Sequence, residues 1–141
     1  MIEVVDMKEW TGQWPEPDHI DARYWQAAAD GDLLIQQCPA CGHRQHYPRA
    51  LCLRCGATPD WRSASGRGVI YSYTVVRQMG LPPFNEKVPY VVALIDLEEG
   101  PRLVGNVVDC EPEQVGIGLP VTAVMHRFSP SVAAPQWRLT R

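Results

Sequence analysis

Cys38-Pro-Ala-Cys41-Gly42 and Cys52-Leu-Arg-Cys55-Gly56 are two copies of one pattern, Cys-x-x-Cys-Gly, with ten residues between Cys41 and Cys52. The two-residue gap lets a tight turn aim both sulfurs at one ion. Four thiolates at about 2.3 Å form the tetrahedral shell that Zn²⁺ prefers. The glycine after each pair supplies the positive φ that closes the turn. The pattern predicts one structural zinc held by Cys38, Cys41, Cys52 and Cys55. Disulfide pairing would draw on the same residues, as would a rubredoxin-type iron, which no electron-transfer feature supports. Four protein ligands leave no open position for water or substrate, unlike a catalytic zinc.

Other residues with chemical potential form no constellation. Ser72 and Thr74 have no histidine at a suggestive spacing, and His19 and His126 stand apart from any nucleophile. Asp96, Glu98 and Glu99 read as solvated charges at a turn. Gly116-Ile-Gly118 is too short for a nucleotide loop. The expectation is a chain with no activity of its own. His43 and His46 are expected on the ribbon surface, and Cys110 as a small, buried hydrophobe.

Charge is uneven. The formal net charge is −3, and thiolates around one Zn²⁺ make it more negative, so nonspecific nucleic-acid binding is not favoured. Residues 1–32 are acidic, whereas residues 44–77 carry Arg44, Arg49, Arg54, Arg62, Arg67 and Arg77 against Asp60 alone. These arginines either offset the thiolates or form a local anion site.

The elements that must position these residues are mostly short. A length of 141 residues with 45% hydrophobic content suits one ordinary domain, or two small ones. No apolar run is long enough to span a bilayer, and Met1-Ile-Glu-Val-Val-Asp lacks the basic start of a signal peptide. With paired thiols free for metal, this predicts a cytoplasmic protein. Residues 1–34 read as an N-terminal arm and helix. Trp10 and Trp14 lie in the proline-bearing arm, free to dock on a partner. Asp18 and Asp21 cap a helix through Ile20, Tyr24 and Ala27 that stops at Gly31. Residues 35–65 form the ribbon, with strands at Leu33–Gln37, His43–Pro48 and Trp61–Ser65. Residues 66–141 form a barrel of five strands: Val69–Val76, Tyr90–Leu97, Arg102–Val108, Leu119–Met125 and Gln136–Leu139. Along the first of these, Ile70, Ser72 and Thr74 alternate with Val69, Tyr71, Tyr73 and Val75. The fold class is mainly β: a helix, a rubredoxin-like zinc ribbon and a five-stranded OB-fold barrel.

Gln37-Cys-Pro-Ala-Cys-Gly42, Tyr47-Pro-Arg-Ala-Leu-Cys-Leu-Arg-Cys55, Ser65-Gly-Arg-Gly-Val-Ile-Tyr-Ser-Tyr-Thr-Val75 and Pro89-Tyr-Val-Val-Ala-Leu-Ile-Asp-Leu97 follow one another in a specific order. The chain thereby resembles the bacterial and archaeal zinc-ribbon/OB-fold family, long catalogued as a domain of unknown function. The likeness covers about residues 18–127. It implies a non-catalytic accessory subunit that binds acyl-CoA and scaffolds a thiolase-like enzyme, or a hydratase or aldolase of steroid breakdown. A CoA thioester needs cations for its phosphates and apolar or aromatic surface for the rest. Arg67, Tyr71, Arg77, Phe84 and Lys87 are the candidates. The main rival is a nucleic-acid-binding module, which would carry exposed aromatics with basic neighbours on the second and third barrel strands; a further rival is a regulator whose ribbon binds only protein.

Overall fold

The computed structural model describes residues 1–140. Helix α1 (Ala22–Ala29) follows a turn in which the Asp18 carboxylate accepts from the Asp21 amide and the Asp21 carboxylate accepts from the Asp18 amide. This reciprocal pair is the capping box expected from sequence, one turn ahead of the regular helix. At the other end Gly31 adopts φ +84°. Its amide reaches the Ala28 carbonyl, and the Asp32 amide reaches that of Ala27, a Schellman closure. The helix buries Tyr24, Trp25, Ala28 and Ala29 against the barrel.

The ribbon is a three-stranded antiparallel sheet of β2 (Leu34–Gln37), β3 (Arg44–Gln45) and β4 (Asp60–Ser63), with β2 central. The barrel uses β5 (Arg67–Val76), β6 (Tyr90–Leu97), β7 (Arg102–Val107), β8 (Pro120–Ser129) and β9 (Val132–Leu139). Neighbours run β8-β5-β6-β7-β9, and a β8–β9 pairing closes the ring. Strand β6 shows the causal pattern most plainly. Val91, Ala93, Ile95 and Leu97 are buried and alternate with half-exposed residues, the two-residue period of a pleated strand. Trp137 on β9 sits at the centre, fully buried. Gly105 opposite leaves room for it, because a Cβ there would lie 2.9 Å from the indole.

Two features depart from the sequence expectation. The arm begins with a strand, β1 (Val4–Asp6), which pairs in parallel with β8 at Met125, His126 and Arg127. The alternation along β5 is also broken. Ile70 pairs with Ile95 and Ser72 with Leu94, leaving Tyr71 as the extra residue of a β-bulge. Beyond the bulge the phase flips. Tyr73 and Val75, opposite Ala93 and Val91, share the face of Ile70, while Ser72 and Thr74 turn outward.

Candidate metal centre and neighbouring sites

The two cysteine turns are near copies in space as in sequence. In the first, the Cys38 amide donates to the His43 carbonyl and the Gly42 amide to the Cys38 carbonyl. In the second, Cys52 donates to Ala57 and Gly56 to Cys52. Gly42 and Gly56 adopt φ +78° and +80°, the left-handed turn that glycine accommodates. The four sulfurs lie within 4.8 Å of one another. Cys38 to Cys55 is 3.4 Å and Cys41 to Cys52 is 3.7 Å. A tetrahedral zinc with bonds of about 2.3 Å requires sulfur separations of about 3.8 Å, so the donor set fits.

Electrostatics point the same way. The Cys41 amide pulls the Cys38 thiol below its ordinary range, and the Cys55 amide pulls Cys52 down to about 6. Cys55 goes the other way. The Ala57 amide lowers it, but the crowding Cys38 and Cys41 sulfurs outweigh that and push it up to about 12. Four thiolates at this spacing repel, and a divalent cation is what lets all four ionise together.

Two buried glutamines, which sequence reasoning missed, fasten the second turn. Gln36 accepts from the Arg49 amide and donates to the Arg49 carbonyl, at 2.8 and 2.9 Å. Gln45 donates to the Gln36 side chain and accepts from the Leu53 amide. For Gln36 the available signal was a polar residue following Leu33, Leu34 and Ile35 in a short apolar strand, whereas Gln45 lies in a polar stretch that gave none. His46 does not lie on the ribbon surface either. It packs between Tyr24 and Tyr47, and burial lowers its pKa to about 4. Glu99 is no solvated turn charge. Its carboxylate accepts from the Ser65 amide and its carbonyl from Arg44, tying ribbon to barrel.

The five proposed CoA contacts divide. Arg67 is paired with Glu98 at 2.8 Å. Tyr71, on the bulge, lies under the Arg102 guanidinium at 3.4 Å from the ring centroid. Arg77 is exposed, and its side chain makes no hydrogen bond or ion pair among the described residues. A ten-residue strand separates it from Arg67, about 30 Å along the chain at ~3.3 Å per residue, so one phosphate does not touch both. Phe84 and Lys87 gather instead around Trp10, which folds back on its own barrel. Trp10 meets Phe84 at 5.5 Å and Phe128 at 5.3 Å, and the Lys87 ammonium lies 5.6 Å from its ring. Cys110 is half-buried, and that burial raises its thiol pKa. Among the described residues, no helix is long and apolar enough to cross a membrane.

A closed five-stranded barrel bearing a four-cysteine ribbon defines a zinc-ribbon/OB-fold protein. The chain belongs to the ChsH2 (DUF35) family. Residues 25–62 match the ChsH2 rubredoxin-like zinc ribbon domain, and residues 61–126 match the ChsH2 C-terminal OB-fold domain. A Methanocaldococcus jannaschii DUF35 domain-containing scaffold protein is 37% identical over 114 residues, covering 79% of this chain and 80% of that one. A Thermomonospora curvata protein named as a probable enoyl-CoA hydratase alpha subunit is 38% identical over 126 residues. That match takes in 88% of this chain but 39% of the relative, so the chain spans about two fifths of its length. A solved structure described as an Ltp2-ChsH2(DUF35) aldolase superposes with a TM-score of 0.80 at 37% identity, covering 89% of this chain and 98% of that one.

Proposed function

We propose that this chain is a non-catalytic accessory subunit of an acyl-CoA enzyme, holding a thiolase-like, hydratase or aldolase partner and contributing to acyl-CoA binding. The observation that carries the reading is a metal centre whose four positions are all filled by cysteine, in a family whose relatives are named as scaffolds and as hydratase subunits. Such a centre organises a surface and does no chemistry on a substrate. The ribbon tip offers that surface: Leu51 and Leu53 are 54% and 69% exposed, between Arg49 and Arg54. Apolar residues ringed by cations suit an acidic-rimmed partner. Of the candidate CoA contacts, Arg77 is the one we assign to a CoA phosphate, since its side chain is exposed and without an ion pair among the described residues.

Strands β6 and β7 do not favour the nucleic-acid rival. Apart from Tyr90, which packs against Phe84, their outward residues are aliphatic at Val92, Leu94 and Val104, and Arg102 is tied to Asp96 at 2.6 Å. The test is co-purification with a thiolase-like or hydratase partner encoded nearby. A stable complex, with no turnover of acyl-CoA by the pure chain, is the expected result. Within that complex Arg77→Ala should weaken CoA binding by about 1.5–3 kcal/mol and leave kcat unchanged. Thiolysis or hydration by the isolated chain would overturn the reading.

A further inference from the structure

One cavity of the barrel is not used by the metal centre or by Arg77. It lies between the N-terminal arm, the loop before β6 and the ends of β8 and β9, with a volume of about 280 Å³. Its walls are aromatic. Trp10 and Trp14 come from the arm, Phe84 and Tyr90 from the loop and the start of β6, and Phe128 from β8. Trp14 stacks on Phe128 with planes 4° apart, and Phe84 leans on Tyr90 at 5.9 Å. Flat rings converging from three separated segments make a slot for another flat ring, with offset or edge contacts on each side.

Size and charge narrow the occupant. An apolar cavity of roughly 150 Å³ takes one benzene ring, so about 280 Å³ admits a ring with a short chain and excludes a fused steroid. Lys87 is the cation at the wall, and His126 inside is held toward its neutral form chiefly by burial. Beyond Trp10 the adjoining groove presents Asp6, Glu9 and Glu86 with Lys8 and the same Lys87, Asp6 being paired with Arg127. A polyphosphate entering there would meet these carboxylates, whereas a single negative group can stop at Lys87.

We propose that this cavity binds a small apolar ring bearing at most one negative charge: an aryl or alicyclic carboxylate, or the equivalent acyl group of a thioester. The arm serves as its wall, with Trp10 and Trp14 closing over the ring. The site is separate from the phosphate contact given to Arg77 and does not depend on a partner enzyme.

The test titrates the full zinc-loaded chain with trans-cinnamate and cyclohexylacetate, read by tryptophan fluorescence and by saturation-transfer NMR. Cinnamoyl-pantetheine, a thioester without the nucleotide, distinguishes a free acid from an acyl group as the preferred source. Adenosine 3′,5′-bisphosphate is the polyanionic control. Saturable binding of the ring compounds is expected, with none of the bisphosphate. Trp14→Ala should weaken it about tenfold, the upper range for an aromatic pair, and Ala134→Phe, which fills the slot, should abolish it. Trp14 is 43% exposed, so its removal spares the fold even where Ala134→Phe does not. No saturable ring binding, equal binding of the bisphosphate, or affinity unchanged by Trp14→Ala would each overturn the proposal.

Discussion

The ribbon and the barrel hold together by different physics. Between Cys38 and Ala57 the buried residues are Cys38, Gln45, Pro48 and Cys52, while Leu51 and Leu53 face solvent. The barrel buries Ile70, Ile95, Leu103, Val121, Met125, Val132 and Trp137 in one cluster with the helix. The first region has a centre only if a cation joins its sulfurs, and the second has one by exclusion of water. Protection of the second region should therefore survive changes that erase the first.

Cys41→Ser gives the largest effect. Structural zinc contributes about 10–16 kcal/mol of apparent binding free energy in isolated zinc-finger peptides, more than a sheet of this size can supply alone. Wild-type protein should contain about one zinc per chain, and the variant should lose it. Amides of residues 36–60 should then exchange freely while those of β5 to β9 stay protected. Melting of the barrel together with the ribbon would break the comparison.

Trp137→Ala attacks the other centre. Its indole is fully buried, so truncation should cost about 3–5 kcal/mol in chemical denaturation. The folded fraction should keep its full complement of zinc. Loss of zinc from folded variant protein would show that the ribbon borrows its shape from the barrel core.

What the sequence made legible was local. The Cys-x-x-Cys-Gly turns, the Asp18 and Asp21 capping pair and the strand at Tyr90–Leu97 each depend on residues a few positions apart, and each stands as expected. What it concealed was long-range. Val4–Asp6 becomes a strand only because β8 offers an open edge. Tyr71 bulges only in the register that β5 takes against β6, and Gly105 makes room for Trp137, 32 positions further along the chain. Nearness along the chain suggested one site for Arg67, Tyr71, Arg77, Phe84 and Lys87. The strand between them distributes these residues to separate neighbours.

The seam between the regions gives the smaller effects, and His46 comes first. Its Nδ1 is buried without a partner, and burial lowers its pKa to about 4 against 6.5 when free. The folded state resists protonation, so the seam is at full strength above about pH 6.5 and weakens as pH falls toward 4. Between pH 6.5 and 5, where one proton is increasingly taken up by the unfolded chain alone, the loss should be about 1.5 kcal/mol. His46→Gln should flatten that slope. An unchanged slope would move the titration to another group.

Tyr47→Phe is the finest cut, since it removes one oxygen from the same seam. The Tyr47 hydroxyl donates to Asp21 at 2.6 Å, joining ribbon to helix cap. Burial alone would raise the Asp21 carboxyl, but hydrogen bonds from Tyr47 and the Asp18 amide hold it below its usual value. A carboxylate with a depressed folded pKa contributes above its unfolded value near 3.9, and that contribution fades only as pH falls through the lower folded value. Tyr47 is 38% exposed, so the loss should stay near 1 kcal/mol, at the modest end for a charge-assisted bond. It should also be flat from pH 8 to pH 5, because Asp21 keeps its charge throughout that range. His46 lies against the same ring, and it is the unfolded chain's His46 that takes up its proton within that range. A loss that changes across pH 8 to 5 would therefore mean that Tyr47→Phe acts by opening His46 to water, and the seam would depend on packing rather than on the Asp21 hydrogen bond.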